Sequence, residues 1–147
     1  MSYVGKWVFH SIGMVNDSDE VVFLSAEEYL KAPMPYIDES DEEAVADELK
    51  ERRKMIGGQI DVCGDGKLYM LMPLPEGVSK EEVDKAVKAG AIKLYDGMMT
   101  DDPWAWEERD GELWLEVGEG MSEDGWVKLS DDDGNLLFMT TRYVRAE

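Results

Sequence analysis

The chain has 147 residues and carries 34 acidic against 15 basic side chains, a formal charge of −19 at neutral pH. This balance argues against direct binding to nucleic acid, because affinity for DNA or RNA begins with Lys and Arg side chains that neutralise phosphates. Hydrophobic residues make up 44% of the sequence and recur along its length, which predicts one folded domain over residues 1–147 rather than a disordered acidic chain.

Cysteine usage and the distribution of apolar residues bear on the cellular compartment. The one cysteine, Cys63, cannot form an internal disulfide, as is usual for proteins of the reducing cytosol. No stretch approaches the roughly 20 apolar residues of a membrane span, and the first residues do not have the pattern of an export signal. We therefore expect a cytoplasmic protein without a membrane span.

The N-terminal part of the chain predicts β-structure. The segment from Tyr3 to Met14 is rich in β-branched and aromatic residues and contains two glycines that disfavour a helix, so we expect one long strand. After a turn at residues 16–19, the run from Val21 to Leu24 either returns antiparallel to this strand or continues it as a bent extension.

Three serines, each followed three residues later by a glutamate, predict the starts of three helices. The pairs are Ser25 with Glu28, Ser40 with Glu43, and Ser79 with Glu82. In such a capping box the serine oxygen accepts a hydrogen bond from a helical amide, and the glutamate carboxylate accepts one from the serine amide. The first predicted helix ends before Pro33, the second runs from about Asp41 to Met55, and the third from about Lys80 to Ala89.

The rest of the chain predicts strands joined by tight turns. These strands are Gln59 to Cys63, Lys67 to Met72, Ala91 to Asp96, Trp104 to Arg109, Glu112 to Val117, Trp126 to Leu129 and Leu136 to Val144. Asp110-Gly111 is the strongest short hairpin signal, because a type I′ turn needs positive φ at both central residues. With the first strand, the total is about eight.

This order of elements favours a mainly β fold. We predict an antiparallel up-and-down β-barrel of about eight strands, with two helices inserted after the first strand as a lid and a third helix in mid-chain. Closure into a barrel removes exposed sheet edges, and about eight strands can enclose one small ligand. A two-layer fold, with the helices packed on one face of the sheet, is compatible with the same pattern.

Two short motifs resemble those of the calycins, the group of lipocalins and fatty-acid-binding proteins. Gly5-Lys6-Trp7 is similar to the G-x-W motif that begins their first strand, and the segment from Phe138 to Tyr143 is similar to their last strand. The resemblance implies a lipocalin-like barrel with a structural stack of a last-strand arginine over Trp7. Arg142 is the predicted partner of Trp7, and Arg145 is the alternative.

One feature of the last strand departs from that group. In intracellular fatty-acid-binding proteins an arginine and a tyrosine two residues apart face inward together, whereas Arg142 and Tyr143 are adjacent and would face opposite sides. We therefore do not predict a fatty-acid carboxylate site at these two residues.

Apolar side chains that share strand faces form the predicted wall of a ligand cavity. They are Leu68, Met70 and Met72 on one strand, Trp104, Trp106 and Trp114 on one hairpin, and Phe138 near the end of the chain. Methionine suits an adaptable apolar pocket because its side chain is flexible and polarizable. The same residues would also fit an ordinary hydrophobic core.

Catalytic and metal-binding hypotheses have little support in the sequence. With one histidine and one cysteine, the only nucleophile–base pair of that kind is Cys63 with His10, and no pattern brings them together. Asp61 and Asp65 echo the start of a calcium loop, but its twelfth position is Met72 instead of a bidentate glutamate. We predict no catalytic residue, metal or cofactor.

The sequence therefore predicts non-catalytic binding of an apolar or amphipathic small molecule in a barrel cavity. The charge of the chain favours neutral or cationic ligands over free fatty acids. An alternative is a protein–protein interaction module with a filled core, whose acidic face docks a basic partner. A third hypothesis is an enzyme that uses carboxylates in the barrel mouth.

Overall fold

Eleven strands and three helices follow one another in the computed structural model, which describes residues 3–35, 37–118, 120 and 124–146. The strands are β1 (Gly5–Val15), β2 (Val21–Leu24), β3 (Gln59–Val62), β4 (Lys67–Met72), β5 (Lys93–Tyr95), β6 (Met98–Thr100), β7 (Trp104–Arg109), β8 (Glu112–Glu116), β9 (Trp126–Lys128), β10 (Leu136–Phe138) and β11 (Thr141–Arg145). The helices are α1 (Ala26–Lys31), α2 (Glu42–Ile56) and α3 (Lys80–Lys88).

The strands pair antiparallel around one long strand. The main path of the sheet has eight strands in the order β10-β11-β1-β3-β4-β7-β8-β9, while β2 pairs with β1, and the β5–β6 hairpin pairs with β4 through β6. β1 spans 11 residues and pairs with β11, β2 and β3 along different parts of its length. The mainly β prediction is confirmed, and the segment from Val21 to Leu24 returns antiparallel to β1.

The sheet is a curled half-barrel and not the fully closed barrel that the strand count suggested. Its two end strands, β9 and β10, do not pair along their length in the described part of the chain. They meet only at a corner, where Ser130 and Leu136 form an isolated bridge and the Leu137 amide donates to the Leu129 carbonyl at 2.7 Å. Both end strands have only three residues, which is too short for a continuous seam.

Alternate residues of the central strands fill the inner face of this curl. Ile60 lies opposite both Trp7 and Met70, and Leu68 lies opposite Trp104. Directly opposite residues of an antiparallel pair share a face, so these side chains meet in one core. Trp7, Ile60 and Leu68 are almost completely buried there.

The three predicted helices are present, but the residue that caps the second helix is not the predicted one. Ser25 forms the complete capping box with Glu28, and the Ser79 hydroxyl accepts from the Glu82 amide. The prediction that Ser40 caps the second helix is wrong. Asp41 is the cap, because its carboxylate accepts from the amides of Glu43 and Ala44, while the Ser40 hydroxyl donates to Asp38 at 2.6 Å.

Helices α1 and α2 pack on β1, and α1 also contacts β2. The fully buried Arg52 of α2 joins the two helices by donating to the carbonyls of Tyr29, Ala32 and Pro33 at 2.6–3.1 Å. The last turn of α2 lies beside the open end of the curl, so the helices cover the sheet on one side instead of forming a complete lid. None of the described helices is both long and apolar enough to cross a membrane.

The structure has two more strand boundaries than predicted, one beyond a predicted strand and one within another. The predicted strand from Ala91 to Asp96 is followed by a second strand, because Asp96 and Gly97 adopt positive φ and form the β5–β6 hairpin. The predicted strand from Leu136 to Val144 is broken at Met139, whose φ of 56° turns the chain back so that β10 pairs with β11.

Candidate functional site

A cavity of about 350 Å³ lies at the open end of the curl. It is bordered by the last turn of α2, the adjoining ends of β3 and β4, the start of β7 and the turn between β10 and β11. Its apolar wall consists of Met55, Met70, Leu71, Met72, Trp104, Phe138, Met139 and the ring of Tyr143. Polar groups are contributed by Lys54, Gln59, Thr100, Asp101, Asp102, Thr140 and Thr141.

Four of the seven predicted wall residues line this cavity: Met70, Met72, Trp104 and Phe138. Two of them are in contact, because the rings of Trp104 and Phe138 pack edge to face with centroids 6.5 Å apart. Aromatic pairs favour this geometry since the positive edge of one ring meets the negative face of the other. Strand pairing thus brings together side chains that are distant in sequence.

The other three predicted wall residues lie elsewhere. Leu68 is fully buried in the core, and Trp106 packs against the core with its indole N–H donating to the Cys63 carbonyl at 2.9 Å. Trp114 lies on the opposite, outer face of the sheet, and its assignment to the wall is wrong. It alternates with the fully buried Leu113 and Leu115, and the Arg109 guanidinium lies 5.2 Å from its ring centroid.

The predicted stack of Arg142 over Trp7 is also wrong, and the alternative arginine takes that place. Arg145 lies directly opposite Trp7 in the β1–β11 register, with its guanidinium carbon 4.6 Å from the indole centroid. Arg142 is three residues away and therefore faces the other side of β11. There its guanidinium carbon lies 4.1 Å from the Phe23 ring centroid and its Nε lies 3.2 Å from Asp131 Oδ2.

Tyr143 and Gly58 are cavity residues that sequence reasoning missed. Tyr143 is only 8% exposed, and its ring belongs to the core. A Cβ placed on Gly58 would lie 3.8 Å from the Tyr143 hydroxyl oxygen, so the missing side chain leaves that hydroxyl facing the cavity. Burial raises the pKa of Tyr143, because the charged phenolate is less well solvated there.

Charged groups at the cavity are nearly balanced. Asp102 pairs with Lys93, which lies outside the cavity, and this pair lowers the pKa of Asp102 and raises that of Lys93. Both side chains are largely exposed, so their attraction is weak in water. Asp101 and Lys54 supply one further charge of each sign. The local field therefore favours neither anions nor cations strongly.

Two other depressions are less suited to an apolar ligand. A surface groove of about 390 Å³ lies between the end of α2 and the segment from Pro73 to Glu76. Arg53 and Glu76 pair across it at 2.8 Å, which fills part of its polar rim. A third cavity of about 340 Å³ shares Met70 and Met72 with the candidate site and extends it toward β5 and β6.

The residues considered for catalysis are not assembled into a site. Cys63 lies one residue beyond the Val62–Gly5 pair, which puts it roughly 20 Å along the strands from His10 at about 3.3 Å per residue. Among the described residues, the carboxyl groups with a displaced pKa are Glu28, Asp38, Glu76 and Asp102. Hydrogen bonds or ion pairs lower the pKa of each, the opposite of what a general acid requires.

The possible calcium loop is a hairpin turn in the structure. The Cys63 amide donates to the Lys67 carbonyl, and the Asp65 carboxylate accepts from the Lys67 amide, so hydrogen bonds within the turn hold this carboxylate in place. Within the described ranges no group of three or more His, Cys, Asp or Glu side chains is placed to hold a metal ion. Comparison with protein-family models, curated proteins and solved structures found no match.

Proposed function

We propose that this protein binds an apolar or amphipathic small molecule in the cavity at the open end of the curled sheet, and does so without catalysis. The observation that carries this proposal is the apolar wall of that cavity, in which methionines and aromatic rings from four separate strands converge. A concave, mostly apolar pocket with a few polar groups is the usual form of a small-molecule site.

The volume of the cavity limits the size of the ligand. At about 350 Å³ it stands near the lower end of the range of roughly 300–1,000 Å³ that is usual for ligand sites. A tail of about eight carbons fits this volume better than the long chain of a common fatty acid. Burying such a tail gains about 6 kcal/mol at roughly 0.8 kcal/mol per methylene, before the cost of lost freedom. Because about 6 kcal/mol before that cost corresponds to a Kd of roughly 40 μM, the expected affinity is in the millimolar range.

The charge of the whole chain decides which head groups are favoured. Because the local charges nearly cancel, the long-range potential comes from the net charge of −19. That potential repels anions and attracts cations, within a screening length of about 8 Å at physiological salt. We infer that neutral and cationic amphiphiles bind more tightly than carboxylates of equal length.

A relationship to the calycins remains a proposal. The stack of Arg145 over Trp7, which is the arrangement implied by the resemblance, supports it. A cytoplasmic location likewise remains a proposal, supported by the single half-buried Cys63.

An interaction module that docks a basic protein is the second candidate. It is favoured by the tip of the β1–β2 hairpin, where Val15 and Val21 are more than 60% exposed beside the acidic residues of the turn. Apolar side chains rimmed by charges of one sign are typical of a protein-binding surface. This surface lies on a different part of β1 from the core, so the two candidates predict different binding regions.

Three probes of equal chain length test the proposal: n-octanol, octylammonium and octanoate, titrated by ¹H–¹⁵N NMR. We expect saturable shifts at cavity residues, with octanoate the weakest ligand. Substitution Met72→Gln should weaken octanol binding roughly tenfold, because a polar amide then lies in the apolar wall. The matched control is Met14→Gln, a half-buried β1 residue that does not line the cavity.

The outcomes separate the two candidates. Equal effects of the two glutamine variants, or no saturable shift with any of the three probes, would contradict ligand binding in the cavity. Shifts confined to the β1–β2 hairpin on addition of a basic protein, with none at the cavity, would favour the interaction module.

A further inference from the structure

Three aromatic side chains in or against the core form hydrogen bonds through their polar atoms, whereas Tyr143 and Trp104 do not. The Trp7 indole donates to the Tyr3 carbonyl at 2.9 Å, the Trp106 indole donates to the Cys63 carbonyl at 2.9 Å, and the Tyr3 hydroxyl donates to the Gly111 carbonyl at 2.7 Å. Within the described residues, neither the Tyr143 hydroxyl nor the Trp104 indole N–H has such a protein partner, and both residues line the cavity. Tyr143 lines the cavity, so its hydroxyl is available to donate to a molecule bound there.

The surroundings of this hydroxyl direct it toward the cavity. The Tyr143 ring shares a face with Phe9 on one neighbouring strand and with Leu136 on the other, which fixes its position in the sheet. Gly58 stands across from the hydroxyl, and a side chain there would occupy the space next to it. The hydroxyl therefore reaches the cavity at a point where the wall has no side chain.

We propose that the Tyr143 hydroxyl selects the ligand of this cavity by donating a hydrogen bond to an uncharged acceptor, such as a carbonyl oxygen, at one end of an apolar molecule. The inference rests on the proposed function of the cavity. It goes further by making Tyr143 the specificity-determining residue and a neutral carbonyl compound the ligand class.

Two observations favour a neutral acceptor over a carboxylate. Burial raises the pKa of Tyr143, so the hydroxyl stays protonated at neutral pH and is available as a donor. The basic residue among those that line the cavity is Lys54, whose side chain is half-exposed on α2, and a buried carboxylate would lose its hydration without a buried cation to replace it.

Acetophenone and cumene form the matched pair that tests this inference. The two molecules have nearly the same shape, but only acetophenone carries an acceptor. We expect the substitution Tyr143→Phe to weaken acetophenone binding about five- to tenfold and to change cumene binding by less than about twofold, as the loss of one hydrogen bond implies. Affinities are measured by ¹H–¹⁵N NMR titration, and thermal unfolding confirms that the variant is folded.

Tyr69→Phe is the control variant, because Tyr69 stacks on Tyr95 at 4.1 Å and does not line the cavity. Equal changes for acetophenone and cumene, or none for either, would overturn the role of Tyr143 and leave the proposed function intact. Benzoate binding that is tighter than acetophenone binding would overturn the neutral ligand class. Failure of both neutral molecules to shift any cavity resonance would overturn the proposed function itself, and this inference with it.

Discussion

Trp7 is the side chain around which the first and last strands meet. It is 1% exposed, and Arg145 covers it while donating to the Val4 carbonyl at 3.0 Å. Gly5 makes room for this arginine, since a Cβ at that position would lie 3.0 Å from Arg145 Nη1. Gly5 also has a φ of +139°, which other residues rarely adopt. The glycine, the tryptophan and the arginine therefore act as one unit.

Substitution of Arg145 tests this unit. We expect Arg145→Lys to lower the free energy of unfolding by about 1 kcal/mol, because an ammonium keeps the charge but loses the planar stack. Arg145→Ala should cost about 1–2 kcal/mol, since the apolar cover of the indole is lost as well. Urea unfolding measures both variants. A lysine variant as stable as the original protein would show that charge alone matters here.

At the scale of single residues, the sequence predicted cavity residues where apolar side chains recur along one strand. Met70, Met72 and Phe138 are apolar residues on predicted strands, and they line the cavity. Trp114 was misplaced because the inner face of its hairpin depends on the pairing of β7 with β8. The role of Tyr143 depends on Gly58, which lies 85 positions earlier in the sequence, so no local pattern links the two residues.

At the scale of elements, α1 and α2 are held together by one buried cation. Arg52 is 0% exposed, and its guanidinium donates to three backbone carbonyls in the last turn of α1 and just after it. The guanidinium carbon lies 5.0 Å from the Tyr29 ring centroid. The last carbonyls of a helix have no partner within the helix. Arg52 supplies their hydrogen bonds, so a charged residue stabilises the packing of two helices.

The neighbouring arginines provide a matched test of this role. We expect Arg52→Met to reduce the free energy of unfolding by about 3 kcal/mol, because several carbonyls lose a buried donor. Arg53→Met should cost less than about 1 kcal/mol, because Arg53 is 43% exposed in its pair with Glu76. Chemical denaturation followed by circular dichroism compares the two. Equal losses would contradict the special position of Arg52.

The sequence predicted the helices better than the boundaries of β5, β6, β10 and β11. Capping residues lie within three positions of each helix start, so their signal is local. Asp96-Gly97 carries the same signal as Asp110-Gly111, and applying the rule evenly would have found the β5–β6 hairpin. The turn at Met139 had no such signal, because left-handed backbone is unusual for methionine and is imposed by the pairing of β10 with β11.

At the scale of the whole molecule, the net charge of −19 opposes compactness and therefore makes stability depend on salt. We expect the midpoint of thermal unfolding to rise by several degrees between about 0.01 M and 0.5 M NaCl, because the screening length falls from roughly 30 Å to less than 8 Å over this range. KCl should raise the midpoint by the same amount as NaCl at equal concentration. A midpoint that stays constant or falls would show that attractive ion pairs outweigh the repulsion.

The overall architecture could be predicted only in outline. Alternation and turn residues indicated a mainly antiparallel β fold, but closure depends on whether β9 and β10 are long enough to pair, and each has only three residues. A cavity at the open end follows from that incomplete closure. Its presence, rather than the strand count, is the basis of the proposed function.

Methionine methyl groups offer the most direct test of that function, because the chain has 10 methionines and several line the cavity. With ¹³C-methyl methionine and n-octanol, we predict saturable shifts and intermolecular NOEs at Met55, Met70, Met72 and Met139. Met14 and Met34 lie outside the cavity and should not change. Shifts spread equally over all methionines, or no saturable shift at Met70 and Met72, would contradict the account.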